Sequence, residues 1–151
     1  MKHRLSFLLA VFSFIALSVR SELLPLPQQI SRSDEVFLCE KVAFRLPEEV
    51  KGMVTEWADE WQVKEKTNAS RHFEVHWVTD IPEALRNKDE AYTLHISREH
   101  IHIEAIKPQG VYRAMQTLRQ LTERSEQGIR VRGCRITDWP AFRIRGWMHD
   151  V

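Results

Sequence analysis

The chain has 151 residues, with 22 Lys and Arg against 21 Asp and Glu, so its formal net charge is +1. This balance gives no electrostatic bias toward polyanions, and we exclude nucleic acid as a partner. Hydrophobic residues make up 43% and charged residues 28%, which is ordinary globular usage. A complete TIM barrel of about 250 residues is longer than the chain, so one smaller domain is expected.

The first 21 residues are typical of a secretory signal peptide. Lys2 and Arg4 precede an apolar run over residues 5–17, which is too short to span a bilayer comfortably. We therefore predict that residues 1–21 are a cleaved signal peptide and that the mature protein is periplasmic or secreted. An uncleaved anchor is the alternative, but we expect no stable membrane anchor.

The two cysteines, Cys39 and Cys134, leave a structural question open. Export would place both in an oxidising compartment, where one disulfide could close a long loop. Both residues also lie in strand-like runs, where a cysteine is more often a small buried apolar group. The sequence does not decide between these two interpretations.

The first half of the mature chain predicts an extended arm, a strand and a helix. Prolines at positions 25 and 27 favour an extended segment over residues 23–27, either a strand or a docked arm. Residues 36–46 read as strand material, and residues 47–63 as a helix. The apolar face of that helix comprises Val50, Met53, Val54, Trp57 and Trp61.

The second half predicts a strand, a β-hairpin, a helix and a further strand. Phe73, Val75 and Trp77 alternate with polar residues, as in a strand buried on one face. In the hairpin of residues 92–96 and 101–105, Leu94 should face Ile103. The same hairpin register sets Ile96 opposite Ile101, His95 opposite His102, and Thr93 opposite Glu104.

The helix that follows opens at Gly110 and ends before Gly128, which lies just beyond its end. Its apolar stripe comprises Val111, Met115, Leu118 and Leu121, with Ala114 beside it. Residues 129–136 form another strand, and a strand-like run over residues 143–151 reaches the last residue. These elements predict an α+β fold.

Histidines on the polar sides of the predicted strands are the local signal for a metal site. The candidates are His72, His76, His95 and His102, with Glu74 or Glu104. Zinc needs three or four such ligands to converge at about 2.0–2.2 Å, and a flat solvated sheet face seldom supplies that convergence. We therefore expect a polar face and no metal, with a periplasmic metal-binding protein as a remaining alternative.

Three sequence blocks in the last third of the chain carry a family resemblance. They are Gly110-Val-Tyr-Arg-Ala-Met-Gln-Thr-Leu-Arg-Gln-Leu121, Ile136-Thr-Asp-Trp-Pro-Ala-Phe142 and Arg145-Gly-Trp-Met-His-Asp-Val151. In order and spacing they resemble the junction between the first two domains of glycoside hydrolase family 20 β-N-acetylhexosaminidases. The segment Leu24-Pro25-Leu26-Pro27-Gln28 also resembles the start of the family's mature non-catalytic domain.

The resemblance implies a fold and a domain plan. In the family, an α+β unit made of an antiparallel sheet with two helices on one face precedes a TIM barrel. Residues 22–139 would then be this N-terminal domain, and residues 140–151 would begin a catalytic barrel that is absent from this chain. We accordingly expect a truncated enzyme that is inactive alone, with the missing barrel as its partner in cis.

The resemblance also implies the chemistry. The family removes terminal N-acetylglucosamine or N-acetylgalactosamine from glycans by substrate-assisted retaining hydrolysis, and no cofactor is implied. Arg145 matches the family arginine that binds hydroxyls of the terminal sugar, and a guanidinium fork suits that task. Asp150 matches an Asp of the same strand, for which we expect a structural or supporting part.

No catalytic residue is expected within this chain. The family's orienting Asp and acid/base Glu are an adjacent pair far along the barrel. Asp59-Glu60 and Asp89-Glu90 both precede the barrel's first strand, so neither is that pair. A stand-alone carbohydrate-binding or adaptor module, with Trp57 and Trp61 stacking on sugar rings, is the alternative to an enzyme.

Overall fold

The computed structural model describes residues 23–142. Strands and two α-helices follow one another within this part of the chain, with a short 3-10 helix (Lys88–Glu90) before the fifth strand. In order they are β1 (Gln29–Leu38), β2 (Lys41–Arg45), α1 (Glu48–Glu60), β3 (Lys64–Glu65), β4 (His72–Trp77), β5 (Tyr92–Ile96), β6 (His100–Ala105), α2 (Pro108–Leu121), β7 (Thr122–Ser125) and β8 (Gly128–Asp138). The α+β class is confirmed.

The strands form one mixed sheet in the order β1-β8-β5-β6-β4-β2-β3, with β7 also paired to β8. The pairs involving β1, β5, β7 and β8 are antiparallel, as the resemblance implies. The pairs β2/β3, β2/β4 and β4/β6 are parallel, however. The expectation of a purely antiparallel sheet is therefore corrected, because the loop containing α1 returns β4 alongside β2 in the same direction.

Both helices lie on the same face of the sheet, as expected. Buried residues of α1 and α2 belong to one core with the inward side chains of the strands. Val50, Val54 and Trp57 of α1 are fully buried, at the spacing that keeps apolar groups on one face of a helix. Within residues 23–142, neither helix is long and apolar enough to cross a membrane.

The hairpin register is confirmed residue by residue. Leu94 pairs with Ile103, and His95 pairs with His102. Both apolar residues of the first pair are fully buried. A shift of one residue would have moved them into solvent, so burial on one face fixes the register.

The strand material predicted over residues 36–46 belongs to two strands. β1 ends at Leu38 and pairs with β8, whereas β2 begins at Lys41 and pairs with β3 and β4. Neither Gly nor Pro is present at the break, which falls at Cys39 and Glu40. The residue types that usually indicate a turn are therefore missing, and the sequence did not predict one here.

Three smaller predictions need correction. Trp77 is 39% exposed, so burial on β4 stops at Val75. Helix α2 begins at Pro108, where the fixed φ of proline suits a first turn. Gly128 does not follow a helix end; it lies at the β7–β8 hairpin with φ of 103°, a conformation that glycine adopts readily.

The segment before β1 is a docked arm. Leu23 is 3% exposed. The side chain of Gln120 on α2 accepts a hydrogen bond from the Leu24 amide at 2.9 Å and donates one to the Leu24 carbonyl at 3.0 Å. The arm thus adds an apolar anchor and two hydrogen bonds to the outer side of α2.

Candidate functional site

Arg145 and Asp150, the residues assigned by the resemblance, lie outside the described residues 23–142. The same is true of the predicted signal peptide and of residues 143–151. Their expected roles therefore stay predictions. The candidate site that the structure does describe is the histidine-bearing face of the sheet, opposite the helices.

Four polar side chains form a square on strands β4 and β6. These strands are parallel, and their register sets Glu74 opposite His102 and His76 opposite Glu104. Because side chains alternate between faces along a strand, all four point to the side away from the helices. Each carboxylate therefore has two imidazole neighbours, one on its own strand and one on the adjacent strand.

Both histidines approach the same atom, Oε2 of Glu74. It lies 3.5 Å from Nε2 of His76 and 3.8 Å from Nδ1 of His102. The other ring nitrogen of His102, Nε2, is 3.5 Å from Oε1 of Glu104. Ligand atoms of Glu74, His76 and His102 all lie within 4.8 Å of one another.

Neighbouring groups fix the two carboxylates. Nη1 of Arg45 on β2 donates to Oε1 of Glu74 at 2.6 Å, and Oγ1 of Thr93 donates to Oε2 of Glu104 at 2.9 Å. Burial raises the pKa of Glu74, but the charge of Arg45 and hydrogen bonds from His76 and Arg45 outweigh it. The pKa of Glu74 is therefore below its ordinary value, and the group is a carboxylate at neutral pH.

The other predicted histidines do not join this group. His72 stacks on His100, with ring centroids 5.3 Å apart, and His95 lies on β5 opposite His102. Burial lowers the pKa of His95, and the positive charge of Arg135 lowers it further. Of the four histidines selected from the sequence, the structure brings His76 and His102 together.

Arg45, which holds Glu74 in place, was not predicted from the sequence. Its contact depends on the parallel pairing of β2 with β4, in which Arg45 is opposite Glu74. Nothing in the local pattern of either strand identifies its neighbour. The Thr93 contact with Glu104, by contrast, follows from the predicted hairpin register.

The tryptophans proposed for sugar stacking are packing residues. Trp57 has no exposed surface, and its ring lies 5.5 Å from that of Phe73. Its Nε1 donates to Oγ1 of Thr122 at 3.2 Å. Trp61 packs partly against the core, with the guanidinium of Arg124 5.6 Å from its ring centre. Trp57 therefore cannot serve as an exposed sugar platform.

The geometry excludes a Cys39–Cys134 disulfide. The amide of Cys39 bonds to the carbonyl of Ile129 on β8, whereas Cys134 pairs with Arg32 and Ile96. The five residue steps from Ile129 to Cys134 span about 16 Å of strand. A disulfide needs Cα atoms within about 7 Å, so both buried cysteines are free thiols.

We predict that neither thiol reacts with iodoacetamide while the protein is folded. Burial raises the pKa of Cys39 to about 12 and that of Cys134 to about 11, against smaller opposing effects of Arg71 and Arg32. The thiolate, which is the reactive form, is then a minute fraction at neutral pH. Mass spectrometry should find both cysteines unmodified in buffer and both alkylated in urea. Alkylation at the same rate in both conditions would contradict this.

Comparison with known proteins places the fold in a family. Residues 20–139 match the family model for glycosyl hydrolase family 20, domain 2. A family 20 exo-β-N-acetylglucosaminidase from Vibrio harveyi, solved in complex with N-acetylglucosamine, is 28% identical with a TM-score of 0.63. The alignment covers 82% of this chain and 20% of that one. No curated protein matches the chain.

More distant structures share the fold. The β-N-acetylhexosaminidase of Bacteroides fragilis is 21% identical with a TM-score of 0.59, over 80% of this chain and 25% of that one. The family 20 enzyme of Streptomyces coelicolor is 20% identical with a TM-score of 0.61, over 79% and 26%. The chain thus spans about a fifth to a quarter of the length of these enzymes. It belongs to glycosyl hydrolase family 20, and residues 20–139 correspond to the family's domain 2.

Proposed function

We propose that this chain is the N-terminal part of an exported β-N-acetylhexosaminidase. The enzyme would remove terminal N-acetylglucosamine or N-acetylgalactosamine from glycans in the periplasm or outside the cell. The match of residues 20–139 to domain 2 of family 20 carries this proposal. The likeness to the Vibrio harveyi exo-β-N-acetylglucosaminidase, solved with N-acetylglucosamine, supports the choice of sugar.

The catalytic Asp-Glu pair would come from a barrel joined to this domain. Two of the Asp-Glu pairs in the described chain, Asp59-Glu60 and Asp89-Glu90, have other partners that suit a structural part. Glu60 on α1 accepts a hydrogen bond from Arg119 at 3.1 Å. Lys107 donates to Asp89 at 2.8 Å. These surface ion pairs tie α1 to α2, and the loop before β5 to the start of α2.

An apolar surface beside the docked arm supports a partner domain in cis. Leu24, Leu26 and Phe142 are 75%, 68% and 71% exposed. Leu26 and Phe142 line one groove together with Trp139. Large apolar groups gathered at one place on a surface are typical of a contact site. We assign this groove to packing against the barrel.

In the proposed mechanism the substrate supplies the nucleophile. Its acetamido oxygen attacks the anomeric carbon as the bond to the leaving oxygen breaks, and a glutamic acid of the barrel protonates that oxygen. The adjacent aspartate orients the acetamido group. From this chain, Arg145 would donate hydrogen bonds to hydroxyls of the terminal sugar, and Asp150 would support the same strand.

The test is the Arg145→Ala variant of the whole protein, assayed on an aryl N-acetyl-β-glucosaminide. Loss of a charged, forked donor costs about 1.5–3 kcal/mol. We therefore expect kcat/KM to fall about tenfold to a hundredfold. Arg143→Ala is the matched control, because it removes an equal charge two residues away, and it should leave kcat/KM nearly unchanged.

The 151-residue chain alone is the second arm of this experiment. We expect it to hydrolyse the same substrate no faster than a buffer blank, since the orienting Asp and acid/base Glu would be missing. Turnover by the purified chain that is abolished by a mutation within it would overturn the proposal. So would equal losses of kcat/KM in Arg145→Ala and Arg143→Ala.

A further inference from the structure

We propose that Glu74, His76 and His102 form a binding site for a divalent transition metal ion of the zinc class. A flat sheet face seldom makes ligands converge, which is why the sequence favoured a polar face without a metal. Here they do converge, because parallel strands β4 and β6 set Glu74 directly opposite His102 and leave His76 on the same face. This assignment is independent of the proposed hydrolase function.

Two of the three separations between ligand atoms are close to those that zinc requires, and all three are within 4.8 Å. Ligands at about 2.0–2.2 Å around a tetrahedral ion lie roughly 3.3–3.6 Å from one another. Oε2 of Glu74 is 3.5 Å from Nε2 of His76 and 3.8 Å from Nδ1 of His102. The His76 and His102 rings are nearly parallel, at an interplanar angle of 23°, so one ring must turn to aim its nitrogen at the ion. The His76 side chain is 53% exposed and can turn without disturbing the core.

Each buried or half-buried ligand is oriented by a further group. Arg45 occupies Oε1 of Glu74 at 2.6 Å and leaves Oε2 to face the histidines. Glu104 lies 3.5 Å from Nε2 of His102, where it can accept that N–H and leave Nδ1 free for the ion. Thr93 in turn donates to Glu104 at 2.9 Å. A carboxylate behind a histidine ligand is the usual support of protein-bound zinc.

The ligand types favour one class of ion. Two imidazoles and one carboxylate suit Zn²⁺, Cu²⁺ or Ni²⁺, whereas Ca²⁺ and Mg²⁺ prefer an all-oxygen set. Three protein ligands leave one position of a tetrahedral ion open to water. The site would therefore be accessible from solvent on the face of the sheet opposite the helices.

The experiment is a calorimetric titration of the full chain with Zn²⁺, with visible absorption of Co²⁺ as a second probe. We expect one ion per chain and the strong visible bands of tetrahedral cobalt. Replacing a ligand should cost at least as much as losing an outer support, about tenfold to a hundredfold in Kd. Glu74→Gln and His102→Gln should both show this loss.

The matched control is His100→Gln, which removes an imidazole from the same strand and the same face. His100 stacks on His72 and is not one of the three ligands, so zinc affinity should be unchanged. Glu104→Gln tests the site if a ligand variant does not fold, because it keeps all three ligands and should still weaken binding. Absence of saturable zinc binding, or equal weakening by His100→Gln and His102→Gln, would overturn the assignment.

Discussion

Replacing Gly110 with alanine should destabilise the domain by about 3 kcal/mol or more. Gly110 lies in the first turn of α2, and a Cβ there would be 2.3 Å from the carbonyl oxygen of Ala91 and 3.0 Å from Cβ of Ala105. The first contact is with backbone, which cannot rotate away as a side chain does. Helix α2 would have to lift off the sheet, and overpacking of this kind costs about 1–3 kcal/mol or more.

The matched control is Gly52→Ala in α1. A Cβ at Gly52 meets nothing within 4 Å, and alanine in a helix interior is favoured over glycine by about 0.5–1 kcal/mol. Urea unfolding followed by circular dichroism should therefore show opposite shifts of the midpoint in the two variants. Equal midpoints for Gly110→Ala and the unmodified protein would mean that α2 does not approach the sheet this closely.

Local patterns predicted the elements whose partners are close in sequence. The β5–β6 hairpin is an example. Alternation along residues 92–105 places Leu94, Ile96, Ile101 and Ile103 on one buried face, and the short turn sets which of them pair. The apolar stripes of α1 and α2 were predicted equally well, because the helical period can be recognised within a single segment of sequence.

Pairing between distant segments was not predictable in this way. Strands β2, β4 and β6 are parallel neighbours in the sheet, but α1 and β3 lie between β2 and β4 in the chain, and β5 lies between β4 and β6. The side chains of each strand alternate in the same manner whichever strand lies beside it. The gathering of Glu74, His76 and His102 depends on this pairing, so the sequence identified the ligand types but not their convergence.

The family resemblance supplied what local physics could not, namely the expected role of Arg145. The resemblance also implied an antiparallel sheet, and the parallel pairs of β2, β4 and β6 correct that expectation. A family pattern thus transfers the class of fold more safely than the direction of each strand. The site residues it assigns rest on motif position alone, which is why Arg145→Ala with its Arg143→Ala control matters.

Replacing Trp57 with alanine should cost about 3–5 kcal/mol of unfolding free energy. The indole is completely buried between α1 and β4, so truncation leaves a large cavity in the main core. Its Nε1 hydrogen bond to Thr122 joins α1 to the start of β7. Most small domains are stable by about 5–15 kcal/mol, so a loss of this size is a large fraction of the unfolding free energy and should lower the urea midpoint clearly.

Two further variants separate the hydrogen bond from the packing. Trp57→Phe keeps an aromatic ring but removes the donor to Thr122, whose hydroxyl still donates to the Leu118 carbonyl at 2.7 Å. It should cost about 1–3 kcal/mol, less than the alanine variant. Trp61→Ala is the control at a partly buried site and should cost less than Trp57→Ala. Unfolding in urea, followed by circular dichroism, gives all three values. If Trp57→Ala instead kept its stability and lost binding to a glycan, the tryptophan would be a sugar contact and the core described here would be wrong.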